Sequence, residues 1–246
     1  MFFYINYSLI SQLIHILANN LDTLIMKFIN LLISIEINFI INFYIYRMNY
    51  PDFNTGDILL LSCTKWYYPF SRLIEYFTDS PFSHCGIVIK DPMFLDKPKK
   101  GLFFLESGNE PFNDVENHRR KFGVELVSLE EMISSYPGHI YYRKLNCDRN
   151  QQFYTILENC HNKIHNIPYD LNPIDWCKAL FNIQLGDNQH TNRFWCSALV
   201  AYLYVQWGFL PDNNPWSLIS PNQFSSTYGT HLAFQNCVLE NDFLIK

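Results

Sequence analysis

The sequence predicts an α+β fold, and two observations carry the assignment. After residue 50 the first half of the chain holds short apolar runs bounded by Gly, Pro, Asn and Asp, the signature of buried strands. The second half holds longer segments whose apolar residues recur at helical spacing. Strands first and helices later is the order of an α+β domain, not of alternating βαβ units. A third observation divides the chain. Residues 1–47 are dense in Ile, Leu and Phe and carry only Asp22, Lys27 and Glu36 as charges before Arg47, so they read as an apolar, helical amino-terminal extension to a domain at 48–246.

Within the extension, residues 28–46 approach the roughly 20 residues a helix needs to cross a bilayer. Glu36 near the centre costs about 2.5–3.5 kcal/mol on insertion scales, and Asn30, Asn38 and Asn42 add to it. There is no basic start and no small-residue cleavage site, so a signal peptide is a poor match. The extension is a candidate membrane anchor. Its alternatives are an amphipathic helix packed on the domain, or an upstream addition to a domain that begins at Met48.

Within the domain, Gly56 makes a turn into the apolar run 57–61, a buried strand. Residues 71–77 form a short helix ended by Asp79-Ser80-Pro81. The run from His84 to Ile89 is apolar on both faces towards its end, as in a central strand. Leu102 to Leu105 is the next strand, finishing on Glu106-Ser107-Gly108. Ser128-Leu129-Glu130-Glu131 is a capping box that starts a helix stopped by Pro137-Gly138. Residues 139–145 return as a strand. Residues 151–167 follow as a helix with Phe153, Ile156, Leu157, Cys160 and Ile164 on one side, closed by Pro168. Another helix starts near Pro173. The clearest helix runs from Cys196 to Trp207, capped from Thr191 or Asn192 and closed by Gly208.

Composition narrows the function. A net charge of −5 with scattered Lys and Arg lacks the clustered basic footprint of nucleic-acid binding. The one basic knot, His118-Arg119-Arg120-Lys121, reads as a solvated loop. Seven cysteines without a CxxC pair indicate neither a zinc ribbon nor a closed disulfide framework. A reducing intracellular compartment fits them, with membrane association left open.

The chemistry lies in three residues. Cys196 opens its helix, on a stripe with Leu199, Val200, Leu203 and Trp207 that faces the sheet. The positive end of the helix dipole favours the thiolate, and the Cys196 backbone N–H is placed to hold an oxyanion. Taken alone, a cysteine on an apolar face is more often core packing. His84 opens its strand, where an imidazole beside a thiol takes its proton. Its alternative is a hydrogen-bonded structural histidine. Glu106 interrupts an apolar strand and accepts the imidazole N–H if its strand neighbours that of His84, or else faces water at a strand end. Cys85, on the other side of its strand, is assigned to the core, and Glu110 is a weaker acidic candidate. Cys160, His161 and His165 raise zinc as a lesser option, since two histidines at i and i+4 share a helical face, but no HExxH glutamate accompanies them.

In order, Gly56-Asp57-Ile58-Leu59-Leu60, Ser83-His84-Cys85-Gly86-Ile87-Val88, Leu105-Glu106-Ser107, Pro168-Tyr169-Asp170, Trp195-Cys196-Ser197-Ala198-Leu199-Val200 and Ser220-Pro221-Asn222 resemble the YiiX-type permuted papain-like hydrolases. These belong to the NlpC-type superfamily and have poxviral and bacterial members. The resemblance covers residues 50–230. It implies a circularly permuted papain-like fold, an antiparallel sheet packed against helices, with Cys196 as nucleophile, His84 as base and Glu106 as acidic partner. Ala198 departs from the glutamate that members often carry after Cys-Ser. The implied activity is cysteine-dependent hydrolysis of an amide or (thio)ester bond in a peptide or lipid-acyl substrate, without a cofactor or metal. The alternative is a non-catalytic binding or virion-associated protein that keeps the fold.

Overall fold

The computed structural model describes residues 50–63, 80–108, 111–170 and 193–246. The 1–47 extension, the expected helices at 71–77 and near Pro173, the caps Thr191 and Asn192, and Glu110 lie outside the described residues. Among the described residues no helix is long and apolar enough to cross a membrane.

The described elements are β1 (Ile58–Cys63), β2 (His84–Lys90), β3 (Leu102–Gly108), β4 (Gly123–Ser128), α1 (Leu129–Ser135), β5 (Gly138–Arg143), β6 (Leu145–Asn146), α2 (Gln151–Ile164), α3 (Cys196–Gln206), β7 (Val238–Leu239) and β8 (Phe243–Leu244). Six strands form one sheet in the order β4-β3-β2-β1-β5-β8, with every neighbouring pair antiparallel. The α+β expectation holds, and β2 is internal as its apolar run predicts. Gly56 adopts a positive φ of 95° at the entry to β1, where a Cβ would also stand 2.7 Å from Leu145 Cδ2.

One sheet face, carrying Ile58, Leu60, Cys85, Ile87, Phe103, Leu105, Val124 and Leu126, shares a core with Phe153, Leu157 and Ile164 of α2 and with α3. Leu129, Met132 and Ile133 of α1 are buried as well, and α1 packs against β3 and β4. Its cap is half the expected box: Ser128 Oγ accepts from the Glu131 N–H at 3.3 Å.

Four local readings are corrected. Strand β4 was not expected. Its buried Glu125, directly opposite Glu106, breaks the apolar signal that would have announced it. Helix α2 stops at Ile164, not Ile167, because Pro168 disfavours helical backbone in the residue before it and Asn166 turns the chain at φ 65°. Helix α3 is buried on all sides from Cys196 to Val205 rather than along one stripe. Trp216 packs on Phe194 and Tyr202, while Phe224 and Phe234 pack on Tyr204, so the carboxy-terminal segment covers the face that would otherwise meet water. Finally, the basic knot is only partly solvated: Lys121 is 10% exposed and pairs with the buried Asp114 at 2.9 Å. Burial pushes the Asp114 carboxyl up, but hydrogen bonds from the Leu126 N–H and the Lys121 ammonium outweigh it and hold the group below its ordinary value.

Candidate active site

The β2–β3 register pairs Ile87 with Leu105. Three rungs further along, Gly108 comes beside His84, where a Cβ at Gly108 would stand 3.5 Å from His84 Cε1 and 3.1 Å from Glu106 Oε2. His84 and Glu106 therefore meet across neighbouring strands, and the His84 Nε2 atom is hydrogen-bonded to Glu106 Oε2. Glu106 is fully buried, which removes its strand-end alternative, while His84 keeps 13% of its side chain exposed, enough to receive a reacting group. Gly86 makes room for the neighbouring Phe104 ring, since a Cβ there would lie 2.4 Å from Phe104 Cζ.

Cys196 is the first residue of α3. The cap position is Trp195, extended at φ −92°, ψ 172°, and no side-chain oxygen caps the helix there. The first-turn N–H groups and the dipole they create are thus directed at the sulfur and its surroundings. Three contacts hold this entry in place. The buried Ser107 Oγ donates to Phe194 O at 2.7 Å, the Asp170 N–H donates to the same oxygen at 3.1 Å, and the Phe194 N–H donates to Pro168 O at 3.3 Å. Tyr169 and Phe194 form a parallel bridge. The Pro168-Tyr169-Asp170 motif is therefore an extended edge that fixes the nucleophile's approach.

The three expected residues converge. The His84 imidazole hydrogen-bonds the Cys196 sulfur as well as Glu106. Since Nε2 is engaged by the carboxylate, Nδ1 is the nitrogen left to exchange a proton with sulfur. Burial opposes the imidazolium, yet the charges and hydrogen bonds of Cys196 and Glu106 prevail and hold His84 well above an ordinary histidine. Cys196 is held well below an ordinary thiol, first by a hydrogen bond from the Cys85 thiol, then, against burial, by the His84 charge and hydrogen bond and by the Cys85 backbone N–H. Both directions favour the thiolate–imidazolium form of the pair.

Cys85 is thus a site residue and not only core. Strand alternation put it on the side opposite His84, but the tip of α3 meets β2 at its first rung, where one sulfur reaches both neighbours. Its own thiol is pushed up by burial and then by its bond to Cys196, so it stays a donor. Tyr169 also borders the site: burial raises its phenol, and the charge of Cys196 raises it further.

The zinc option does not assemble. His161 and His165 do stack, 5.3 Å apart, but His161 Nε2 pairs with Glu116 Oε1 at 3.0 Å and Cys160 is hydrogen-bonded to Tyr202. Among the described residues no three such groups are placed to hold a metal.

Fold and site together describe an α+β protein in which an antiparallel sheet and the tip of a buried helix share a Cys–His–Glu cluster. No family model and no curated protein matches the chain. Among solved structures it is similar to the crystal structure of the metalloprotein yiiX from Escherichia coli O157:H7, at 18% identity and a TM-score of 0.40, over 61% of this chain and 64% of that one. The match spans less than two thirds of that protein's length.

Proposed function

We propose that the chain is a cysteine-dependent hydrolase, an amidase, peptidase or acyl hydrolase of permuted papain-like type, that cleaves an amide or (thio)ester bond through an acyl-enzyme on Cys196. One observation carries the reading: His84 is bonded at once to Cys196 and to a fully buried Glu106, the three coming from different elements. A charged pair of this kind, set at a helix N-terminus, has a chemical use that core packing does not require.

The thiolate attacks the carbonyl carbon, and the oxygen that becomes negative is met by the Cys196 backbone N–H at the start of α3. The His84 imidazolium gives its proton to the departing nitrogen, oxygen or sulfur. Neutral His84 then deprotonates a water, which hydrolyses the thioester and returns Cys196 as thiolate. Glu106 fixes the ring and its tautomer throughout. The strand bearing the base precedes the helix bearing the nucleophile, the reverse of the ordinary papain order and the order a circular permutation produces. Peptide and lipid-acyl donors share this chemistry, and the apolar 1–47 extension favours a membrane-borne acyl donor.

The test is brief alkylation with iodoacetamide near neutral pH, read by peptide mass spectrometry. Label concentrates on Cys196 and is lost in His84→Ala. Equal labelling of all seven thiols, or label indifferent to His84, would leave the non-catalytic reading. Intact mass after incubation with peptide and lipid extracts then identifies the acyl group carried on Cys196.

A further inference from the structure

A second pair of thiols lies where β6 meets β7. Leu145 faces Leu239 and Asn146 faces Val238, and the Glu240 N–H donates to Lys144 O at 2.9 Å. In an antiparallel ladder hydrogen-bonded and non-hydrogen-bonded pairs alternate. The 144/240 and 146/238 rungs are therefore hydrogen-bonded, and 145/239 is not. The next non-hydrogen-bonded rung, one residue past the last paired positions, is Cys147 opposite Cys237. Opposed Cα atoms at such rungs are about 4.5 Å apart, within the roughly 4.4–6.8 Å that a disulfide spans. Both cysteines are free and half-buried, and both pack against the core that contains Leu145 and Leu239.

We infer that Cys147 and Cys237 form a disulfide site that clamps the carboxy-terminal segment onto β6 when a disulfide-exchanging oxidant such as oxidised glutathione is present. One cysteine thiolate attacks oxidised glutathione and releases a first glutathione thiolate. The other then displaces the second from the mixed disulfide, so two protein thiols are oxidised as one glutathione disulfide is reduced to two glutathiones. The closed loop, residues 147–237, contains α3 and the segment that covers it, so the link braces the helix that carries Cys196. Burial, with the neighbouring Cys147 adding to it, pushes the Cys237 thiol up to about 11, which makes closure slow and sets this pair apart from the reactive Cys196.

The full chain is equilibrated with oxidised glutathione in mildly alkaline buffer, alkylated, digested and mapped, with melting followed in parallel. A linked peptide pair joining Cys147 to Cys237 is expected. It is accompanied by a rise in melting temperature on the order of 10 °C that dithiothreitol reverses and that the double variant Cys147→Ser/Cys237→Ser lacks. Glutathione adducts on both cysteines without a link, links through Cys85 or Cys196 instead, or a rise that persists in the double variant would overturn the inference. None of these readouts depends on hydrolase activity.

Discussion

Replacing Glu106 tests whether the charged pair is a property of three residues or of two. Glu106 is fully buried against His84, so solvent screens its charge little. In Glu106→Gln the amide oxygen still accepts the Nε2 proton and the tautomer survives, but a charge-assisted bond of about 1.5–3 kcal/mol becomes a neutral one of about 0.5–1.5 kcal/mol. The difference, on the order of 1.4 kcal/mol, is about one pKa unit. The pH midpoint of Cys196 alkylation should therefore rise by about one unit and kcat/KM should fall roughly tenfold. Glu106→Leu removes the acceptor as well. Breaking a buried pair on one side costs about 3–5 kcal/mol, which corresponds to a midpoint shift of about two to four units and a loss of at least about a hundredfold in kcat/KM. Where His84 stays charged the same cost lowers stability, so the Leu variant should also melt several degrees lower than the Gln variant. The assay is mass-spectrometric alkylation across pH on both variants, with melting curves as a control. A Leu variant that melts normally and keeps the wild-type midpoint would show that the carboxylate does not govern the dyad.

Three further outcomes are expected. Alkylation should already be fast at neutral pH and weaken only as acid protonates the depressed Cys196, whereas turnover should also fall on the alkaline side as the raised His84 loses the proton its leaving group needs. A bell with both limbs is the expected pH profile of kcat/KM, and a lone ascending limb near an ordinary thiol pKa would contradict the ion pair. Cys85→Ala should raise the Cys196 alkylation midpoint by about one unit, while Cys85→Ser, which keeps a donor, should hold it near wild type. Gly86→Ala would place a methyl 2.4 Å from Phe104 Cζ and 2.7 Å from Leu105 O. The ring can yield but the backbone oxygen cannot, so thermal melting should show a loss of about 1–3 kcal/mol, equivalent to a fall of roughly 2–12 °C.

The sequence made His84, Glu106 and Cys196 legible because each breaks the local pattern: His84 and Cys196 open their elements, and Glu106 interrupts an apolar strand. A carboxylate inside an apolar strand and a thiol at the front of an apolar helix are anomalies that burial makes costly, so they stand out against their neighbours. What escaped is what agreed with the pattern, or what depended on a partner far away in the chain. Cys85 looked like any small buried residue on the far face of β2, and only the arrival of α3 at the strand's first rung turns its thiol and backbone N–H towards Cys196. Ser107 carries no local signal either, yet its hydroxyl ties β3 to the residue two places before the nucleophile, across 87 positions of sequence. Strand β4 failed for the opposite reason. Its Glu125 faces Glu106 in register and lowers the apolar count that would have marked the strand. Helix α3 was assigned a single sheet-facing stripe because the aromatics that cover its other sides, Trp216, Phe224 and Phe234, follow it in the chain. Local periodicity therefore locates the groups that break it, while long-range register decides which ordinary residues hold them.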